Sequence, residues 1–100
     1  MAEICAVDGV DGLYLGTTDL TARMGKPGRF DDPEVVDALR RLVAVTGEYG
    51  KIPAAGGLGT HDQTIAAVQA GVRFVNTGSD LSYLLSGATR NAGLFRAAVQ

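Results

Sequence analysis

Cysteine occurs once in these 100 residues, proline three times, and aromatic residues make up only 6%. The single Cys5 has no partner for an internal disulfide, which fits a reducing compartment. Its neighbours Ile4 and Ala6 mark it as a packed thiol, not a reactive one. An excess of either charge is missing too. Nine Lys and Arg against eleven Asp and Glu leave a formal net charge of -2 and a pI near 5.1. The chain therefore has no basic field of the kind that nucleic acid or an anionic membrane attracts. No apolar run approaches the ~18 residues of a spanning helix, and the amino terminus lacks a basic-then-apolar leader pattern. The expected setting is the cytoplasm, with neither nucleic acid nor membrane as a partner.

What is present is globular in character. Hydrophobic residues make up 46%, charged residues of both signs 20%, and there are 14 glycines. A chain of this length forms one small domain at most and buries about two-thirds of the surface its unfolded form exposes. Its organising stretch is residues 9–25, GVDGLYLGTTDLTARMG. Leu13, Tyr14 and Leu15 read as a buried strand that stops at Gly16 and releases a polar turn, Thr17-Thr18-Asp19, into a short helical run. Asp8-Gly9 and Asp11-Gly12 are turn dipeptides ahead of that strand, and a turn role suits Asp11 better than a ligand role at the strand's amino end.

Elsewhere the chain alternates. Residues 2–7 read as the end of a helix without a capping residue. Residues 25–31, GKPGRFD, form a loop in which Lys26 and Arg29 either stay solvated or meet an anionic substrate tail. Asp32-Pro33-Glu34 starts a helix with a cap, a proline at its first position and an acidic first turn. Val35, Val36, Leu39, Leu42 and Val43 recur at three- and four-residue spacing, so one face of this helix is apolar. A second strand, 52–55, empties into Gly56-Gly57-Leu58-Gly59. Thr60 and Gln63 then form a capping box, and Gly71 closes the helix that follows. A third strand is expected over 72–76, followed by Thr77-Gly78-Ser79 and a helix carrying Leu81, Leu84 and Leu85. A separate final segment places Leu94, Phe95, Ala98 and Val99 on one side.

Strand and helix alternate three times, which predicts parallel strands joined by right-handed crossovers. Three such strands leave sheet faces and edges uncovered. The expected fold is therefore α/β: the carboxyl-terminal portion of a (β/α)8 TIM barrel, with residues 1–100 as a partial barrel domain.

Ligands in such folds sit at the carboxyl ends of the strands. Asp19, the 56–59 loop and the 77–79 turn are expected to meet there. Asp19 either ligates a hard divalent cation, which takes oxygen ligands, or caps a helix over 20–24. The glycine loop and the 76–80 turn either cradle phosphate on backbone N–H groups or simply turn the chain. His61, the only histidine, is a candidate base whose nearest carboxylate, Asp62, is just its sequence neighbour.

GVDGLYLGTTDLTARMG, PGRFDDPEVVDALRRLV, AAGGLG and RFVNTGSDLSYLLSGA resemble, in order and spacing, the carboxyl-terminal part of the HpcH/HpaI aldolase/citrate lyase family. The resemblance covers nearly all of the chain. It implies a metal-dependent class II aldolase, a lyase acting on pyruvate-derived 2-oxo acids through a metal-stabilised enolate, with Mg2+ or Mn2+ as cofactor. The family's GTxDL or GPxDL turn supplies an Asp ligand, which falls on Asp19. The same resemblance assigns substrate contacts to Gly16, Thr17, Thr18 and Asp19, and to Gly57 and Leu58 after the next strand. It assigns no catalytic residue to this segment. The family's second acidic ligand and its catalytic His and Arg have no counterpart in the 100 residues, and His61 does not match that His. The isolated chain is therefore expected to be catalytically incomplete. The final helix implies a homo-oligomer. Two other readings stay open: a non-catalytic α/β module that associates through its edges, and a phosphate-binding half-barrel.

Overall fold

The computed structural model describes residues 1–99. Its order is α1 (Ala2–Cys5), β1 (Gly12–Gly16), α2 (Thr17–Arg23), α3 (Pro33–Glu48), β2 (Ile52–Gly56), α4 (His61–Gln69), β3 (Phe74–Val75) and α5 (Asp80–Ala98). The strands form one parallel sheet in the order β1-β2-β3. All three carboxyl ends therefore lie on one edge, as the alternation predicts.

The two faces of the sheet differ. Leu15, Ala55 and Val75 turn toward the helices and join Val35, Leu39, Leu58, Ala67 and Val72 in the core. On the other face, Tyr14, Ile52 and Phe74 remain 53%, 49% and 59% exposed. Alternate strand residues point to opposite faces, so this is a bare inner face with helices packed on one side only. The expectation of a buried β1 is corrected at Tyr14, which stands on that bare face.

α3 starts where its sequence reads, but Val36 of the expected apolar face stays 37% exposed. Asp32 caps it, accepting from the Glu34 backbone N–H at 3.0 Å, with Pro33 at the first position. Val35, Leu39 and Leu42 are buried. Thr60 and Gln63 form the expected capping box on α4, and Gly71 follows at φ +119, a conformation that side chains resist. Cys5 is 1% exposed, in keeping with a packed thiol.

Three expectations change. Thr17, Thr18 and Asp19 are not a turn before a helix but its first turn, since α2 begins directly after Gly16. β3 has only two residues: Val72 turns into the core instead of joining the ladder, its N–H closing on Ala67 O at 3.0 Å, and only Phe74 and Val75 pair with β2. The two expected carboxyl-terminal segments are one 19-residue helix, α5, which runs through Gly87 and Gly93. Each glycine costs a helix about 1 kcal/mol relative to alanine, and no proline is present to break it. α5 has no buried residue, and the described chain measures 60 × 29 × 21 Å.

Candidate functional site

The site begins at the junction of β1 and α2. Gly16 is both the last strand residue and the amino-terminal cap of α2, and it offers no side chain to the first N–H groups of that helix. The other helices that follow strands are closed differently. Thr60 accepts from Gln63 N on α4, and Ser79 accepts from Ser82 N on α5. Only α2, of these three, leaves its first backbone donors without a side-chain acceptor. Such donors favour an anion.

Thr17 ties this junction to the next loop. It is fully buried, and its hydroxyl proton is shared between the carbonyls of Gly56 at 2.7 Å and Gly57 at 2.6 Å. Thr18 is exposed and lies against Gly57, where a Cβ would overlap its Oγ1. Gly57 holds φ +68, so both its backbone and its neighbour require glycine. Thr21, also buried, accepts from Gly28 N at 3.3 Å and anchors the 25–31 loop.

Asp19 is at the third position of α2 and is exposed. Its Oδ2 lies 3.3 Å from where a Cβ on Gly16 would stand. The carboxylate therefore rests against the end of β1 without a side chain in between. It takes part in no hydrogen bond or ion pair among the described residues, and it is not the helix cap, since Gly16 holds that place. No group of three His, Cys, Asp or Glu side chains gathers among the described residues. An exposed, unpaired carboxylate on a glycine floor suits a hard cation as one oxygen donor of several.

The glycine loop and the third strand's turn meet in a crevice of about 340 Å³, lined among others by Gly57, Leu58, His61, Asn76 and Ser79. Asp19 does not line it. Leu58 is only 5% exposed and belongs to the core, so it gives the crevice little surface. His61 is exposed in the first turn of α4. No Lys or Arg lines this crevice. The cations of the 25–31 loop are engaged elsewhere: Lys26 Nζ binds Asp32 Oδ2 at 3.0 Å and Glu34 Oε1 at 3.4 Å, and Arg29 approaches Asp31 at 4.0 Å. The hydrogen bond to Asp32 is the first cause holding the Lys26 ammonium above its ordinary pKa. The Glu34 backbone N–H, and then Lys26, hold the Asp32 carboxyl below its own.

Tyr14 was not apparent as a site residue from the sequence. Its hydroxyl reaches the end of the neighbouring strand, where a Cβ on Gly56 would collide with it. The available signal was the pair of glycines, Gly16 and Gly56, that end β1 and β2 in register.

The family model for HpcH/HpaI aldolase/citrate lyase matches residues 1–87. A hydroxypyruvate/pyruvate aldolase of Delftia acidovorans is 39% identical over 97 residues, covering 96% of this chain and 35% of its own length. A 4-hydroxy-2-oxo-heptane-1,7-dioate aldolase of Salmonella paratyphi B is 34% identical over 99 residues, covering 97% and 36%. Among solved structures, an HpcH/HpaI aldolase/citrate lyase family protein of Burkholderia cenocepacia superposes with a TM-score of 0.85 at 28% identity, covering 95% of this chain and 37% of that one. The chain spans a little over a third of the length of these relatives.

Proposed function

Because this chain belongs to the HpcH/HpaI aldolase/citrate lyase family, we propose that it forms the metal-ligating and carboxylate-binding corner of a divalent-metal-dependent aldolase for pyruvate-derived 2-oxo acids. Its three parallel strands and their helices are a portion of a (β/α)8 barrel. The observation that carries the reading is the β1–α2 junction. There an unpaired carboxylate, Asp19, stands at the edge where the strands end, beside a helix start whose backbone donors no side chain has claimed among the described residues.

Family membership and that junction together support these roles. Asp19 gives one oxygen to a Mg2+ or Mn2+ ion, and the backbone N–H groups of Thr18 and Asp19 receive the substrate carboxylate. Thr17 holds Gly56 and Gly57 in place so that the next loop keeps its distance from Thr18. When bound, the ion offsets the negative charge that develops on the 2-oxo oxygen as the carbon–carbon bond breaks. Proton transfer is assigned to no side chain of this segment, so turnover requires the rest of a barrel. A phosphate-binding role has less support. The helix starts beside the glycine crevice are occupied by Thr60 and Ser79, and no cation lines it.

The test joins this chain to the amino-terminal part of the D. acidovorans relative, in place of the segment it matches. The joined protein is expected to cleave a 4-hydroxy-2-oxo acid to pyruvate, with a chelator abolishing and Mn2+ restoring turnover. Asp19→Ala should lower that activity at least about 100-fold while the circular dichroism spectrum stays the same. Undiminished, chelator-sensitive turnover in that variant would remove Asp19 from the reaction.

A further inference from the structure

The inner face of the sheet ends in glycine, and one side chain reaches that rim from below. Gly16 and Gly56 are register partners at the last positions of β1 and β2, so neither strand places a Cβ at the carboxyl edge. Tyr14 stands one pair lower on the same face, opposite Ala54, with Phe74 beyond it. Its ring leans forward along the strand: a Cβ on Gly56 would collide with the hydroxyl and come within 2.7 Å of Cζ. The phenol therefore lies over the Gly56 backbone at the rim, not at mid-strand.

Asp19 occupies the same row, with Oδ2 beside the Cβ position of Gly16. Neighbouring strands run roughly 5 Å apart, which keeps the phenol oxygen and the carboxylate within roughly 10 Å of each other on one face. Tyr83 spends its hydroxyl on Thr77 at 2.8 Å. Tyr14 has no such partner among the described residues, and the residue is 53% exposed. Packing over glycine needs only the ring, which phenylalanine would supply equally. A hydroxyl enclosed in a barrel without a partner would cost free energy. A phenol hydroxyl is also a donor suited to a carboxylate or oxyanion.

We propose that the Tyr14 hydroxyl donates a hydrogen bond to a substrate oxygen on the inner face below Asp19, making Tyr14 a substrate-binding residue. The inference rests on the aldolase reading above. In the joined protein, Tyr14→Phe is expected to lower kcat/KM for aldol cleavage about 10- to 100-fold, mainly through KM. The Mn2+ concentration for half-maximal activity and the thermal midpoint should stay unchanged. Kinetics within twofold of the parent would overturn the proposal while leaving the aldolase reading intact. A folded parent without turnover would sink both.

A second measurement does not depend on turnover. In the full 100-residue chain with ring-labelled tyrosine, substoichiometric Mn2+ should broaden the Tyr14 ring signals before those of Tyr49 at the far end of α3. Tyr14 signals as sharp as those of Tyr49, when the Asp19 signal is already lost, would overturn it as well.

Discussion

Thr17 shows how much of this corner depends on one hydroxyl. Its Oγ1 is the link between the end of β1 and the two carbonyls that open the glycine loop. Thr17→Val keeps the shape and removes the donor, leaving Gly56 O short of a partner in a buried place and Gly57 O in a partly buried one. The expected cost is about 1–3 kcal/mol, read from urea unfolding of the chain, whereas Thr17→Ser should recover most of it. Equal midpoints for the Val and Ser variants would mean that the hydroxyl carries no stability. This contact was only half legible in the sequence. The Thr-Thr-Asp turn pointed to a strand end, and the glycines pointed to a tight loop, but nothing local says that residue 17 reaches residues 56 and 57. Tyr14 was illegible for a similar reason. A three-residue apolar run, Leu13-Tyr14-Leu15, fixes a strand but not which of its faces is covered, because that depends on how the separate helices α1, α2 and α3 pack on it.

At the level of elements, legibility tracks local chemistry. Caps are short-range, so Asp32-Pro33-Glu34 and Thr60 with Gln63 gave helix starts that the structure reproduces. The length of β3 and the continuity of α5 depend on neighbours, and both differ from the reading of the sequence. The start of α3 also has a pH signature. The Asp32 carboxyl sits below its ordinary 3.8, held first by the Glu34 N–H and then by Lys26. Its contribution is therefore complete above about that pH and fades as the pH falls through the lowered value. The Lys26 ammonium sits above its ordinary 10.5. Its contribution is complete below that pH and fades only as the pH rises through the raised value. Asp32→Asn keeps an acceptor for Glu34 N but no charge. Urea midpoints of the parent, taken between pH 7 and pH 2.5, should fall more steeply than those of this variant. Parallel curves would mean that the carboxylate charge contributes nothing at the cap.

The whole molecule presents two apolar surfaces that a 100-residue chain cannot cover by itself. One is the inner sheet face with Tyr14, Ile52 and Phe74. The other is α5, where Leu84, Leu94 and Phe95 are 70%, 64% and 75% exposed, with Val99 just past its end at 85%. The amphipathic spacing of those residues was visible in the sequence, and so was the need for cover. α5 is about 28 Å long and stands clear of the core, so it reaches past the body of its own subunit. We propose that a second copy of the chain receives it, which makes assembly and the bare helix one phenomenon. Light scattering should then give a mass well above the 10.3 kDa of one chain, falling on dilution. Leu84→Asp combined with Phe95→Asp should return the mass to that of one chain without loss of helical signal. These positions are solvent-exposed within the subunit, so the two charges disturb an interface and not a core. A parent already monomeric at high concentration would refute α5 as the contact. Undiminished association in the double variant would instead move the contact to the inner sheet face, the other apolar surface of comparable exposure.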